Sequence, residues 1–202
     1  MDFIAVLHRS IAELVKRFQS NPFDFLYERD LQAMLFSLMV DGFGPVKIAM
    51  KGGYWKSDHY GEGDTIRTVP ARCEYPSGYV FDLAIIDPQM IRSYDLTQWQ
   101  AAGLKNDAFW NQPVMAAVEL KYCQLGDRVN LKKAECSVDI EKLKRYQEER
   151  GERPFCGISL LFIQSESVAF KFQDGAKARD EHLASGLTQY VVTPRNWWQI
   201  SY

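Results

Sequence analysis

The chain has 202 residues, of which 47% are hydrophobic and 13% aromatic, enough for one domain with a sizeable core. Its net charge of −2 excludes a nucleic-acid binder that relies on overall positive charge. Nucleic acid could then be bound only through a local basic patch. The four cysteines lack zinc-ligand spacing, and no apolar run approaches the ~18 residues of a membrane span. We expect a single cytoplasmic domain over residues 1–202, with its cysteines reduced and no membrane partner.

Two helices are predicted at the start of the chain. Apolar residues recur at helical spacing over residues 3–18. Asn21 and Pro22 are typical of a helix start, so the second helix is predicted to run from Pro22 to about Val40. Glu28 lies on the same side as the apolar stripe of this helix, which is an unusual position for an acidic residue.

Strands dominate the middle of the chain. Short strands are predicted in the segments PVKIAM and TIRTVPARCEY, on either side of a glycine-rich loop. The segment YVFDLAIID predicts a strand buried on both faces, with Asp82 inside it. Residues 88–113 are predicted to form an irregular insertion, and the segment VMAAVELKYC predicts the next core strand.

The last third of the chain again alternates helix and strand. The segment KKAECSVDIEKLKRYQEERGE predicts a helix with an apolar stripe at Cys136, Ile140 and Leu143, an ordinary solvated charged face and a C-cap at Gly151. The segments FCGISLLFIQ, SVAFKF and QYVVT predict strands, and residues 176–185 predict a polar helix. The terminal RNWWQISY is either a cap on the core, which we favour, or an oligomer contact. This order predicts an α/β fold with a mixed sheet and flanking helices.

A charged pair interrupts the apolar strand VMAAVELKYC. Strand alternation puts Glu119 and Lys121 on one face and Leu120 on the other. Random placement of acidic residues and lysines predicts about as many acid-x-lysine motifs as this sequence contains. The informative feature is therefore the position of the motif, after a strand that buries Asp82. One interpretation is a same-face salt bridge. The other is a site, because Asp82, Glu119 and Glu28 would repel one another if they met, and Mg²⁺ would resolve that conflict with its preference for oxygen ligands.

These residues resemble the PD-(D/E)XK nuclease superfamily, which includes restriction endonucleases and junction and repair nucleases. The stretches VFDLAIID and AAVELKY carry the resemblance, together with the helix glutamate of FLYERDLQAML. The resemblance spans about residues 22–165 and implies a restriction-endonuclease-like core, with a mixed central sheet flanked by helices in αβββαβ order. Residues 166–202 would be a C-terminal addition. Phe81 stands where many members have proline, and no Gln-x-x-x-Tyr follows on the later helix.

The resemblance implies a Mg²⁺-dependent endonuclease that hydrolyses phosphodiester bonds in DNA, with Mn²⁺ able to substitute. Asp82 and Glu119 would hold the metal with the Leu120 carbonyl, Lys121 would orient the attacking water, and Glu28 would assist. The alternative is a catalytically inactive module of the same fold that binds nucleic acid or a protein partner. RNA stays open as a substrate, and a homodimer would be the simplest route to double-strand cleavage.

Other residues compete for these roles or add to them. Asp87 is a rival to Asp82, although Asp87-Pro88 more naturally ends the strand, and Glu74 could also reach the site from the preceding segment. The glycine-rich loop suits phosphate contact and base stacking, although its aromatic side chains could equally pack back onto the core. Its candidate nucleic-acid contacts are Lys51, Tyr54, Trp55, Lys56 and His59.

Overall fold

A six-stranded mixed sheet, with helices packed on both faces, forms the centre of the molecule. The computed structural model describes residues 2–44, 46–49, 65–68, 70–75, 78–86, 114–173 and 186–201. Its helices are α1 (Phe3–Ser20), α2 (Glu28–Phe43), α3 (Val129–Arg150) and α4 (Glu166–Gln173). Its strands are β1 (Val46–Ala49), β2 (Thr65–Thr68), β3 (Ala71–Tyr75), β4 (Phe81–Ile86), β5 (Val114–Cys123), β6 (Cys156–Ile163), β7 (Leu187–Val192) and β8 (Trp197–Ser201).

The strands of the large sheet lie side by side in chain order, from β3 to β8. The strands β3, β4 and β5 form an antiparallel meander. The helix α3 then carries the chain over the sheet, so that β6 pairs with β5 in parallel, and β7 is parallel to β6. The strand β8 closes the sheet as an antiparallel edge, and β1 pairs with β2 in a separate two-stranded sheet. The α/β class with a mixed sheet is therefore confirmed.

Each face of the sheet has its own apolar core. Leu120 and Tyr122 of β5 pack on the side of α1 and α2, where the Phe18 ring meets Tyr122 edge-on. Ile140 and Leu143 of α3 cover the opposite face. Because side chains alternate along β5, its charged residues lie on this second face, beneath α3. The helix α3 is thus the element that decides their surroundings.

Several predicted elements are confirmed. The strand predicted from VMAAVELKYC spans Val114–Cys123, and the strand containing Asp82 spans Phe81–Ile86. Gly151 ends α3 with φ of +64°, a left-handed conformation that favours glycine. Trp198 and Ile200 of β8 pack against the core, as expected for a cap.

Two predicted elements are wrong. The second helix begins at Glu28, because Pro22–Asp24 forms only a 3-10 turn and Asp30 accepts hydrogen bonds from the amides of Leu26 and Tyr27, both at 2.8 Å. The segment SVAFKF belongs to a helix, α4, and not to a strand. Three of its apolar residues have the spacing of one helical face and pack against the sheet; they are Val168, Ala169 and Phe172.

Two further predictions lie outside the described residues, namely the insertion at residues 88–113 and the polar helix at residues 176–185. Among the described helices, none is both long and apolar enough to span a membrane.

Candidate functional site

The ladder between β4 and β5 ends where the charged residues begin. Leu83 pairs with Val118, which puts Asp82 one step further along, opposite Glu119. There the Leu120 amide donates to Asp82 Oδ2 at 2.7 Å, while Gln32 Nε2 donates to the Asp82 carbonyl at 2.7 Å. The Asp82 carboxylate thus accepts the hydrogen bond that a neighbouring strand would otherwise accept from β5. The antiparallel register brings the predicted carboxylates of Asp82 and Glu119 opposite each other.

Lys121 connects three elements at this point. Its Nζ atom lies 3.3 Å from Glu28 Oε1 on α2 and 3.1 Å from Asp139 Oδ2 on α3. It also donates to the Leu120 carbonyl at 2.9 Å. Burial alone would lower the pKa of Lys121, but the carboxylates of Asp139, Glu28 and Asp82 outweigh it and raise the pKa. Lys121 therefore stays charged at neutral pH.

Glu28 reaches the site from the first position of α2. Its Oε2 atom accepts a hydrogen bond from the Tyr122 amide at 3.2 Å. Glu28 thus binds the β5 amide two residues beyond the Leu120 amide, which Asp82 binds. Burial raises the pKa of Glu28, Lys121 opposes the rise, and Asp82 adds to it. The prediction that Glu28 joins Asp82, Glu119 and Lys121 agrees with this geometry.

Glu119 is the most deeply buried charged side chain of the site, with an exposed fraction of 2%. Lys142 Nζ lies 2.5 Å from Glu119 Oε1, an ion pair outside hydrogen-bond geometry that leaves this oxygen without a hydrogen-bond partner among the described residues. Burial raises the pKa of Glu119 to about 8, although Lys142 lowers it, and the Asp82 carboxylate adds to the rise. A buried carboxyl group with such a pKa is typical of functional sites.

Two residues of α3 belong to the site although the sequence pattern did not predict them. The prediction that the charges of this helix form an ordinary solvated face is wrong for Asp139 and Lys142. Asp139 is buried and contacts Lys121. Burial raises the pKa of Asp139 more than Lys121 lowers it, so the pKa lies above its ordinary value. Asp139 occupies the i+3 position of the apolar stripe that contains Cys136 and Ile140, and this position was the available signal. We call the six residues the β5 cluster: Glu28, Asp82, Glu119, Lys121, Asp139 and Lys142.

The simple salt bridge between Glu119 and Lys121 is not formed. Lys121 pairs with Glu28 and Asp139, whereas Glu119 pairs with Lys142. The competing acid Glu74 is exposed on β3. The other rival acid and the loop candidates lie outside the described residues; they are Asp87, Lys51, Tyr54, Trp55, Lys56 and His59.

The oxygen atoms of the cluster suit a hard cation such as Mg²⁺. Among the described residues, no group of three or more His, Cys, Asp or Glu side chains is arranged to hold a metal ion. Mg²⁺, however, commonly binds through one or two carboxylates and keeps several waters. Asp82 and Glu119 supply two, and Glu119 Oε1 is a buried oxygen whose ion-pair partner is the Lys142 ammonium group. The oxygen donors of the cluster are therefore of the type that Mg²⁺ binds.

Comparison with known proteins adds no relative. No protein-family model matches the chain, and neither a curated protein nor a solved structure matches it. Function is therefore inferred from the β5 cluster and from the order of the elements around it.

Proposed function

We propose that this protein is a metal-dependent nuclease that hydrolyses phosphodiester bonds in DNA. The observation that carries the proposal is the convergence at the end of β5, where Asp82 binds the Leu120 amide, Glu119 lies opposite, and Lys121 donates to the Leu120 carbonyl. The two carboxylates and the backbone carbonyl are oxygen ligands suited to a metal ion, and a charged lysine beside them can stabilise a phosphate; metal-assisted hydrolysis of a phosphodiester can use these parts.

The order of the elements supports a restriction-endonuclease-like core. The helix α2 precedes the antiparallel strands β3, β4 and β5, and α3 connects them to the parallel strand β6. This is the αβββαβ order that the resemblance implies, with the two-stranded sheet of β1 and β2 inserted after α2. The helix α1 and the elements from α4 to β8 would be additions to that core.

Mg²⁺, with Mn²⁺ as a substitute, would be held by Asp82, Glu119 and the Leu120 carbonyl. When bound, the ion supplies Lewis acidity and lowers the pKa of a coordinated water. Glu119 must be ionised to serve as a ligand, and its raised pKa makes binding favour the upper part of the neutral pH range.

The side chains around these ligands have separate roles. Lys121 keeps its proton because Asp139 and Glu28 surround it, so it acts as a fixed cation that orients water and offsets charge on the phosphate. Glu28 holds Lys121 from α2 and, through the Tyr122 amide, fixes the end of β5. Asp139 holds the same ammonium group from α3.

The test is a cleavage panel of linear, circular, branched and single-stranded DNA, with RNA as a comparison, in Mg²⁺ and in Mn²⁺. The variants Asp82→Asn, Glu119→Gln and Lys121→Met keep the side-chain shape and remove charge, and each should abolish cleavage while the protein stays folded. Glu141→Gln, which removes an exposed acid from α3, is the matched control. Cleavage at the wild-type rate by Glu119→Gln would contradict the proposal.

One observation favours the alternative of an inactive binding module. Lys121 and Lys142 already pair with the carboxylates of the cluster, as the charges of a purely structural site would. Magnesium titration separates the two functions, because an ion that binds the folded state raises thermal stability by mass action. The absence of a metal effect, together with the absence of cleavage on every substrate of the panel, would favour the module.

A further inference from the structure

Lys142 occupies the position beside Glu119 that a metal ion would need. Its ammonium group lies 2.5 Å from Glu119 Oε1, an oxygen to which the described residues donate no hydrogen bond of good geometry. The side chain comes from α3, not from β5, and is 24% exposed. A lysine so close to a buried carboxylate offsets the charge that the metal would otherwise neutralise.

The surroundings of Lys142 allow its ammonium group to leave Glu119 without losing all its partners. Its Nζ atom also donates to the Val80 carbonyl at 3.2 Å and lies 3.8 Å from Asp139 Oδ1. The side chain borders an open groove of about 470 Å³, whose lining includes Glu141 and Arg145 of the same helix. The groove provides space into which the side chain can turn.

We infer that Lys142 is a resident counter-ion that a divalent metal displaces from Glu119, so that metal binding at the β5 cluster is an exchange of lysine for metal. This inference rests on the proposed function and deepens it. Lys142 is then a positioning residue that sets metal affinity, while Lys121 acts on water and phosphate. An ammonium group and a divalent cation repel each other, so contact of both with one buried carboxylate oxygen is disfavoured.

The sign of the effect follows from the charge balance. A divalent ion adds two positive charges to the cluster, and its binding releases at most one proton from Glu119. The net charge therefore becomes more positive whether or not Glu119 is protonated beforehand, and a neighbouring ammonium group opposes binding in both cases. Removing the charge of Lys142 should therefore tighten binding of Mg²⁺, by roughly tenfold or more.

The experiment is calorimetric titration of the full chain with Mg²⁺ alone, after treatment with a chelator. Lys142→Met should bind Mg²⁺ about tenfold more tightly than the wild type, and Lys142→Arg, which keeps the charge, should not. Lys144→Met is the matched control, because it removes the same charge from the same helix at a residue paired with Glu141; its affinity should stay near that of the wild type.

A second measurement follows the displacement in the wild-type protein. Acetylation of lysines, read by mass spectrometry, should modify Lys142 faster when Mg²⁺ is present, with Lys144 as the internal reference. If Mg²⁺ binds but Lys142→Met has no higher affinity and Lys142 reacts no faster, the exchange is wrong while the proposed metal site stands. If neither the wild type nor Lys142→Met binds Mg²⁺, the exchange and the proposed function both fail.

Discussion

Replacing Glu119 with glutamine should change the pH dependence of folding. The side chain is 2% exposed, and burial raises its pKa from the ordinary 4.5 to about 8. Because the pKa is higher in the folded than in the unfolded chain, the folded protein binds the extra proton between those pH values. The contribution of Glu119 to stability is therefore complete below pH 4.5 and is lost as the pH rises to about 8.

The size of this loss follows from the same interval. Each pH unit corresponds to about 1.4 kcal/mol, so ionising Glu119 in the folded protein costs up to about 5 kcal/mol by pH 8. Glu119→Gln resembles the protonated side chain and cannot ionise. The variant should match the wild type near pH 4 and exceed it by several kcal/mol at pH 9.

The assay is urea unfolding at pH values from 4 to 9 in the presence of a chelator, followed by tryptophan fluorescence. The difference between the two proteins isolates Glu119 from the other titrating groups. Glu141→Gln is the control, because this glutamate is exposed on α3 and its replacement should leave the curve parallel to that of the wild type. Parallel curves for Glu119→Gln as well would refute the reasoning, since Glu119 would then ionise as in an unfolded chain.

Three further predictions concern the core and the neighbours of Lys121. Leu35→Ala removes a fully buried side chain of α2 and should cost about 3 kcal/mol, seen as a lower urea midpoint with an unchanged slope. Asp139→Asn removes a carboxylate that holds the Lys121 ammonium group at 3.1 Å, so cleavage should fall roughly tenfold; cleavage at the wild-type rate would show that Asp139 does not act through this lysine. Glu28→Gln keeps an acceptor for the Tyr122 amide but loses its charge, so it should reduce cleavage less than Glu28→Ala, and equal losses would contradict this division of roles.

Local pattern was sufficient for the strands that carry the site. The apolar run of β5 predicted its bounds, and its alternation predicted that Glu119 and Lys121 share a face. The antiparallel meander then brings Asp82 opposite Glu119, as the site interpretation required. The start of α2 was less predictable, because Asn21 and Pro22 are equally compatible with the 3-10 turn that forms there.

The alternation of side chains, the burial of the strands and the set of carboxylates that could meet are predictable from local pattern, because these properties depend on the period of a strand and on neighbours along the chain. The cation that each carboxylate meets depends instead on how the helices pack on the sheet. Lys142 pairs with Glu119, and Asp139 with Lys121, because α3 crosses the sheet directly above the charged face of β5. That docking is a long-range packing result, and charged residues on a helix look alike in sequence whether they face water or a buried carboxylate.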